Sequence, residues 1–142
     1  MKDSLIYMML LVLLTSCNSV EPEKLNCDKD IIIDNNLFVN APNDSLKFLN
    51  VELSQDCLKL TVEYGGGCGN IEFQLIASEL IMKSNPPQMN IRLSFFNEDD
   101  TCFKVGRSEI SFDLTPIKNL DLIDNKVILH LAKWDKAISY SF

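Results

Sequence analysis

The chain has 142 residues, of which 46% are hydrophobic, and it carries a formal net charge of −7. This length is typical of a single domain, and the hydrophobic content is sufficient for one modest core. The acidic balance argues against nucleic acid and anionic lipid head groups as partners of the domain surface.

The N-terminus has the pattern of an export signal that ends in a cysteine. Lys2 precedes an uncharged run from Leu5 to Leu14, and the small residues Thr15 and Ser16 lead to Cys17. The run is about ten residues long, whereas a helix needs roughly 20 residues to cross a bilayer. The segment LTSC resembles the bacterial lipobox, in which signal peptidase cuts before the cysteine and the cysteine carries the lipid.

The lipobox resemblance implies a signal peptide over residues 1–16, a lipidated tether over 17–26 and a domain over 27–142. An ordinary secretory signal that happens to end near a cysteine is the alternative. Each buried methylene of an acyl chain contributes about 0.8 kcal/mol, so several chains give a durable anchor. We therefore expect the membrane to be a partner through the lipid on Cys17, with the protein in the cell envelope at the outer membrane.

Four cysteines remain after Cys17, namely Cys27, Cys57, Cys68 and Cys102. An even number in an exported chain predicts disulfides, and four cysteines allow three pairings. We favour Cys27 with Cys57 and Cys68 with Cys102, because these bridges tie neighbouring segments and do not cross, but the other pairings stay open. Cysteine or histidine pairs at zinc-ligand spacing are missing from the sequence, so we expect no metal and no cofactor.

Apolar and polar residues alternate along much of the chain, which predicts half-buried β-strands. The pattern is clearest over residues 57–64. Similar patterns predict further strands over 30–33, 48–53, 70–78, 89–97, 109–114, 126–131 and 137–142. Polar turns separate them. About seven or eight such strands predict an all-β, antiparallel, immunoglobulin-like sandwich stabilised by disulfides. Short helical turns are expected only within 77–83 and 115–122.

Residues 64–70, YGGGCGN, join two of the predicted strands. A phosphate-binding loop would require Lys and Ser or Thr at the start of a helix, but a strand begins at Asn70. Cys68 as a nucleophile would require a base, and the sole histidine, His130, lies on a distant predicted strand. We interpret the cluster as a corner in which glycines adopt positive φ.

Two other groups of residues have a functional alternative. Glu98-Asp99-Asp100 is predicted to be a solvated turn, because the ligand spacing of a calcium-binding loop is absent. Trp134, Tyr140 and Phe142 form either an aromatic surface that stacks on sugar rings or part of the core. The core is the interpretation that we favour.

Three segments, LKLTVEYGGGCGNIEFQL, EDDTC and ISFDLTPI, resemble in the same order the C-terminal β-sandwich of NigD-like lipoproteins of Bacteroidetes. The resemblance covers about residues 58–117 and implies a β-sandwich with a bridge from Cys68 to Cys102. A histidine of the family pattern is replaced by Ile71, so no role of that histidine carries over. The segment before residue 58 is too short for the family's extra N-terminal barrel. The resemblance implies a fold and leaves the activity open.

Together these features predict a lipid-anchored, non-enzymatic accessory or binding module of the cell envelope. The alternative is an envelope inhibitor, or a lipoprotein that binds a protein or glycan through loops at Pro86-Pro87 or at residues 98–101. We expect no enzyme, because a nucleophile, a base and oxyanion donors cannot be assembled from the motifs.

Overall fold

The computed structural model describes residues 26–98, 101–122 and 125–142, which form two β-sheets. The predicted signal peptide and all of the tether except Asn26 lie outside these residues. The strands are β1 (Lys29–Asp30), β2 (Ile32–Ile33), β3 (Leu46–Ser54), β4 (Cys57–Gly65), β5 (Ile71–Met82), β6 (Gln88–Asn97), β7 (Val105–Asp113), β8 (Lys126–Leu131) and β9 (Ile138–Ser141). Two short helices are α1 (Asn35–Asn40) and α2 (Thr115–Lys118).

The predicted all-β sandwich is confirmed. One sheet has the strand order β1-β7-β4-β3, and the other has the order β2-β5-β6-β8-β9. Three neighbouring pairs, β1 with β7, β2 with β5 and β6 with β8, are parallel. The sheets are therefore mixed rather than wholly antiparallel. Alternation reveals which face of a strand is buried, but it carries no information about the direction of the neighbouring strand.

The segment predicted as one strand over residues 30–33 contributes to both sheets. β1 pairs with β7 in the first sheet, and β2 pairs with β5 in the second. Between them, Ile31 is buried, and its N–H donates to the carbonyl oxygen of Asp113 at 3.0 Å. The chain thus crosses from one sheet to the other at Ile31 and ties together one side of the sandwich.

The helical turn predicted within residues 77–83 is wrong, because β5 continues to Met82. Its register with β6 shifts between Ala77 and Ile81, which marks a β-bulge. Asn35 Oδ1 accepts hydrogen bonds from Ser78 Oγ and from the N–H of Glu79, both at 2.9 Å. These bonds satisfy polar groups at the irregular part of the strand, so the strand does not have to end there.

Helix α1 lies between the strands predicted over residues 30–33 and 48–53, where the sequence predicted only polar turns. Asp34 caps the helix, since its Oδ1 accepts a hydrogen bond from the N–H of Leu37 at 2.8 Å. The helix contacts β5, and its last carbonyls are bonded by Arg92 of β6. The predicted short turn within residues 115–122 is present as α2.

The core lies between the two sheets and follows the predicted alternation. Leu58, Leu60 and Val62 of β4 are fully buried, as are Leu75 of β5 and Phe95 of β6. Burial of a large apolar side chain contributes roughly 1.5–3 kcal/mol, so this core accounts for the main stabilisation of the fold.

Candidate functional site

A groove opens at the end of the sandwich where β5 turns into β6. Its volume is about 670 Å³, within the range of small-ligand sites in proteins. The described residues that line it are Ile81, Lys83, Ser84, Asn85, Pro87, Asp121 and Leu122.

The floor of the groove is apolar. Ile81 of β5 and Leu122, which follows α2, are both partly buried and pack against the core. Pro87 is buried at the start of β6. Because these residues belong to the ends of packed elements, the groove is preformed by the fold.

Side-chain hydrogen bonds hold the loop between β5 and β6, which forms one wall of the groove. Ser84 Oγ donates to the carbonyl oxygen of Pro86 at 2.7 Å, and Gln88 Nε2 donates to Ser84 Oγ at 3.1 Å. His130 Nε2 donates to Gln88 Oε1 at 2.6 Å. The N–H of Ile128 bonds the carbonyl oxygen of Pro87 at 2.9 Å. The loop is therefore attached to β8 as well as to its own strands.

Among the described residues that line the groove, one side chain is basic and one is acidic. Lys83 comes from the β5–β6 loop, and Asp121 comes from the segment that follows α2. Both side chains are exposed. Neither forms an ion pair with another residue in the part of the chain that the structure describes. Sequence reasoning found the Pro86-Pro87 loop but missed both charges, because nothing local connects position 83 with position 121.

The glycine cluster forms a corner at the opposite end of the sandwich. Gly66 and Gly67 have φ of 89°, a conformation that side chains rarely adopt. Cys68 forms a disulfide with Cys102 and thereby links the corner to the segment before β7. The sulfur of Cys68 is engaged in this bridge, which agrees with the interpretation of the cluster as a corner.

His130 does not lie near Cys68. It pairs with Asn90 near the start of β6, whereas Asn97 at the far end of β6 pairs with Ile71, next to the corner. The two residues are therefore at opposite ends of the second sheet. His130 supports the groove loop, and the structure does not bring it together with Cys68 as a catalytic pair.

The second bridge joins Cys27 to Cys57 at the start of β4. Both bridges are those favoured from the sequence. Next to the Cys27–Cys57 bridge, Asp28 Oδ2 accepts hydrogen bonds from the N–H of Ser111 at 2.8 Å and from the Oγ of Ser111 at 2.7 Å. These bonds lower the pKa of Asp28 below its ordinary value. The bridge and the carboxylate together fasten the beginning of the domain.

The C-terminal aromatic residues do not form a flat sugar-binding surface. Tyr140 is fully buried, and its Oη donates to Asp56 Oδ1 at 2.8 Å. Trp134 and Phe142 are partly buried against the core. Burial and the hydrogen bond to Asp56 raise the pKa of Tyr140 above its ordinary value. The core interpretation therefore describes these residues correctly.

The remaining sequence candidates lie at the corner or outside the described residues. Glu98 Oε2 accepts a hydrogen bond from Asn70 Nδ2 at 2.9 Å, while Asp99 and Asp100 are outside the described residues. Within the described ranges, no cluster of three or more His, Cys, Asp or Glu side chains is arranged to hold a metal ion. Cys17 also lies outside them. Neither helix of the described chain has the length and apolar character needed to cross a bilayer.

The fold and its two bridges define the chain as a disulfide-linked β-sandwich with an end groove. No family model and no curated protein matches the sequence. A NigD-like immunity protein from Bacteroides caccae is similar in structure, with a TM-score of 0.60 and 13% identity over 82% of this chain and 60% of that protein. A DUF1344 protein of unknown function from Bacteroides vulgatus has a TM-score of 0.52 and 17% identity over 80% of this chain and 56% of that protein.

These similarities confirm, at the level of the fold, the resemblance that three short motifs indicated. The chain spans less than two thirds of the length of either solved protein. At such low identity the likeness concerns the fold alone, and a functional conclusion has to come from the site itself.

Proposed function

We propose that this protein is a lipid-anchored binding module of the cell envelope that takes a ligand in the end groove and catalyses no reaction itself. The groove is the observation that carries the proposal. It combines a preformed apolar floor with a few polar groups on the rim, which is the usual composition of a ligand site.

The topology supports a groove that stays near the membrane. β4 and β5 are joined by the glycine corner at one end of the sandwich, so Cys57 and the groove lie at the other end. The bridge from Cys27 to Cys57 brings the start of the domain to that same end. A tether of about ten residues spans at most roughly 35 Å. A lipid on Cys17 would therefore keep the groove close to the bilayer surface.

The anchor is tested by replacing the predicted lipid-bearing residue. We expect the wild-type protein to incorporate labelled palmitate and to fractionate with membranes, whereas Cys17→Ala does neither. Ser16→Ala is the matched control, because it keeps a small residue before the cysteine and should be labelled normally. Labelling and membrane fractionation of Cys17→Ala would show that the anchor proposal is wrong.

The groove is tested by filling its mouth. Asn85→Trp places a large side chain on the exposed rim, and Val39→Trp places the same side chain on the exposed surface of α1. We expect affinity capture from envelope extracts to lose its specific ligand with Asn85→Trp and to retain it with Val39→Trp. Identical capture by both variants, at unchanged melting temperature, would exclude the groove as the binding site.

An envelope inhibitor is the second candidate function. One of the structurally similar proteins is named an immunity protein, and Phe103 beside the Cys68–Cys102 bridge is fully exposed. An exposed aromatic residue on a fastened segment is suited to insertion into a pocket of a partner protein. In that case Phe103→Ala abolishes capture of the partner while Asn85→Trp leaves it unchanged. The reverse result favours the groove.

A further inference from the structure

We propose that the ligand of the groove is a short apolar peptide with free ends, whose carboxylate lies beside Lys83 and whose ammonium group lies beside Asp121. This inference rests on the proposed function of the groove and specifies its ligand. The chemical class of the ligand follows from the apolar floor of the groove and from the two charges of opposite sign in its lining.

The volume and the apolar floor of the groove indicate the size and the apolar character of the ligand. A volume of about 670 Å³ suits a ligand of a few residues or a small organic molecule. Ile81, Pro87 and Leu122 present hydrocarbon, so apolar side chains gain most by transfer from water into the groove. A peptide of about two to four apolar residues fits the volume of the groove and matches its apolar floor.

The charged residues at the rim of the groove indicate which charges the two ends of the ligand carry. Lys83 and Asp121 line the groove from different segments of the chain and lack an ion-pair partner among the described residues. A ligand with one anionic and one cationic end matches both charges at once. A peptide with free termini is a zwitterion of this kind.

Other ligand classes fit the same residues less well. Sugar rings usually stack on aromatic side chains, and the described residues that line the groove include none. A fatty acyl chain would fill the floor but would leave both rim charges unmatched. An anionic head group would meet Lys83 but would be repelled by Asp121.

The test uses trileucine and its end-blocked derivatives as probes, with the full-length protein purified in detergent. We expect trileucine to shift the backbone amide resonances of Lys83, Asn85 and Asp121 in a saturable NMR titration. N-acetyl-trileucine amide, which has the same body and no end charges, should bind about tenfold more weakly, since each exposed charge pair is worth roughly threefold in affinity.

Variants assign each end of the peptide. Lys83→Met should weaken binding of trileucine about threefold but should not change binding of trileucine amide, which lacks the carboxylate. Asp121→Asn should weaken binding of trileucine and leave N-acetyl-trileucine unchanged. Lys47→Met, a change at an exposed lysine of β3, is the matched control and should have no effect.

Two results would overturn the inference in different ways. Equal affinity for trileucine and its fully blocked derivative would reject the zwitterionic ligand and retain a groove that binds apolar molecules. Absence of binding by every probe, together with unchanged capture by Asn85→Trp, would reject both this inference and the proposed function.

Discussion

Arg92 of β6 donates a hydrogen bond from Nη2 to the carbonyl oxygen of Ala41, 2.8 Å away, at the end of α1. The same nitrogen lies 3.0 Å from the carbonyl oxygen of Leu37, and Nε bonds that of Phe38. The last carbonyls of a helix lack partners within the helix and carry partial negative charge. The guanidinium group supplies both donors and positive charge, so it holds α1 on the outer face of the second sheet.

We predict that Arg92→Met lowers the free energy of unfolding by about 2–4 kcal/mol. The change keeps much of the side-chain volume but removes the donors to the carbonyl oxygens of Phe38 and Ala41. Urea denaturation followed by circular dichroism measures the loss. Arg107→Met is the matched control, because Arg107 forms an exposed ion pair with Glu63 at 3.1 Å. It should cost less than about 1 kcal/mol. Equal losses for the two variants would contradict the role assigned to Arg92.

A second prediction concerns the glycine corner. Gly67 has φ of 89°, and a Cβ atom there would lie 3.2 Å from Cε2 of Tyr64. We expect Gly67→Ala to destabilise the protein by about 1–3 kcal/mol, because alanine strains this backbone conformation. Gly65→Ala is the control, since no atom lies within 4 Å of its added Cβ. Thermal unfolding should show a clearly lower melting temperature for Gly67→Ala and little change in melting temperature for Gly65→Ala. The opposite order would refute the corner interpretation.

The third prediction concerns the pH dependence that Tyr140 contributes. Because the folded protein raises the pKa of this phenol above its ordinary value of 10.0, the neutral form stabilises the fold. That contribution is complete below about pH 10 and is lost as the pH rises further towards the folded pKa. At pH 7, Tyr140→Phe should cost about 1–2 kcal/mol through the lost bond to Asp56.

Urea unfolding of wild type and Tyr140→Phe at about pH 7 and about pH 10.5 tests this linkage. The difference in stability should narrow at the higher pH, because phenylalanine cannot ionise in the unfolded chain. A difference that stays constant or widens would show that the phenol does not titrate as described.

The fourth prediction compares the two disulfides. They span similar sequence separations, 30 and 34 residues, so loop entropy gives each about 3–4 kcal/mol. Cys57 is buried, whereas Cys68 is exposed. Replacing Cys27 and Cys57 by serine should therefore cost more than replacing Cys68 and Cys102, because it also buries a hydroxyl group. Differential scanning calorimetry of the two double variants measures which of them loses more stability. A larger loss for the Cys68 and Cys102 variant would contradict it.

Several parts of the fold follow from local sequence patterns. The alternation over residues 57–64 correctly predicts β4 and its buried face, and the glycines at 66 and 67 take the positive φ expected of a corner. The patterns fail where a partner from another segment decides the outcome. Residues 30–33 divide between two sheets because each half meets a different strand. The bulge of β5 is supported by Asn35, a residue distant in sequence.

The sequence by itself determined the all-β class and the inward face of the longer strands, because alternation and turn chemistry act over a few neighbouring residues. It favoured the two bridges but left the other cysteine pairings open. The tertiary structure decided the strand order, the mixed direction of the sheets, the attachment of α1 by Arg92 and the presence of Lys83 and Asp121 in the lining of one groove. These features depend on which distant segments pack together. Which distant segments pack together depends on the free energy of the whole fold, so no short stretch of the chain determines it.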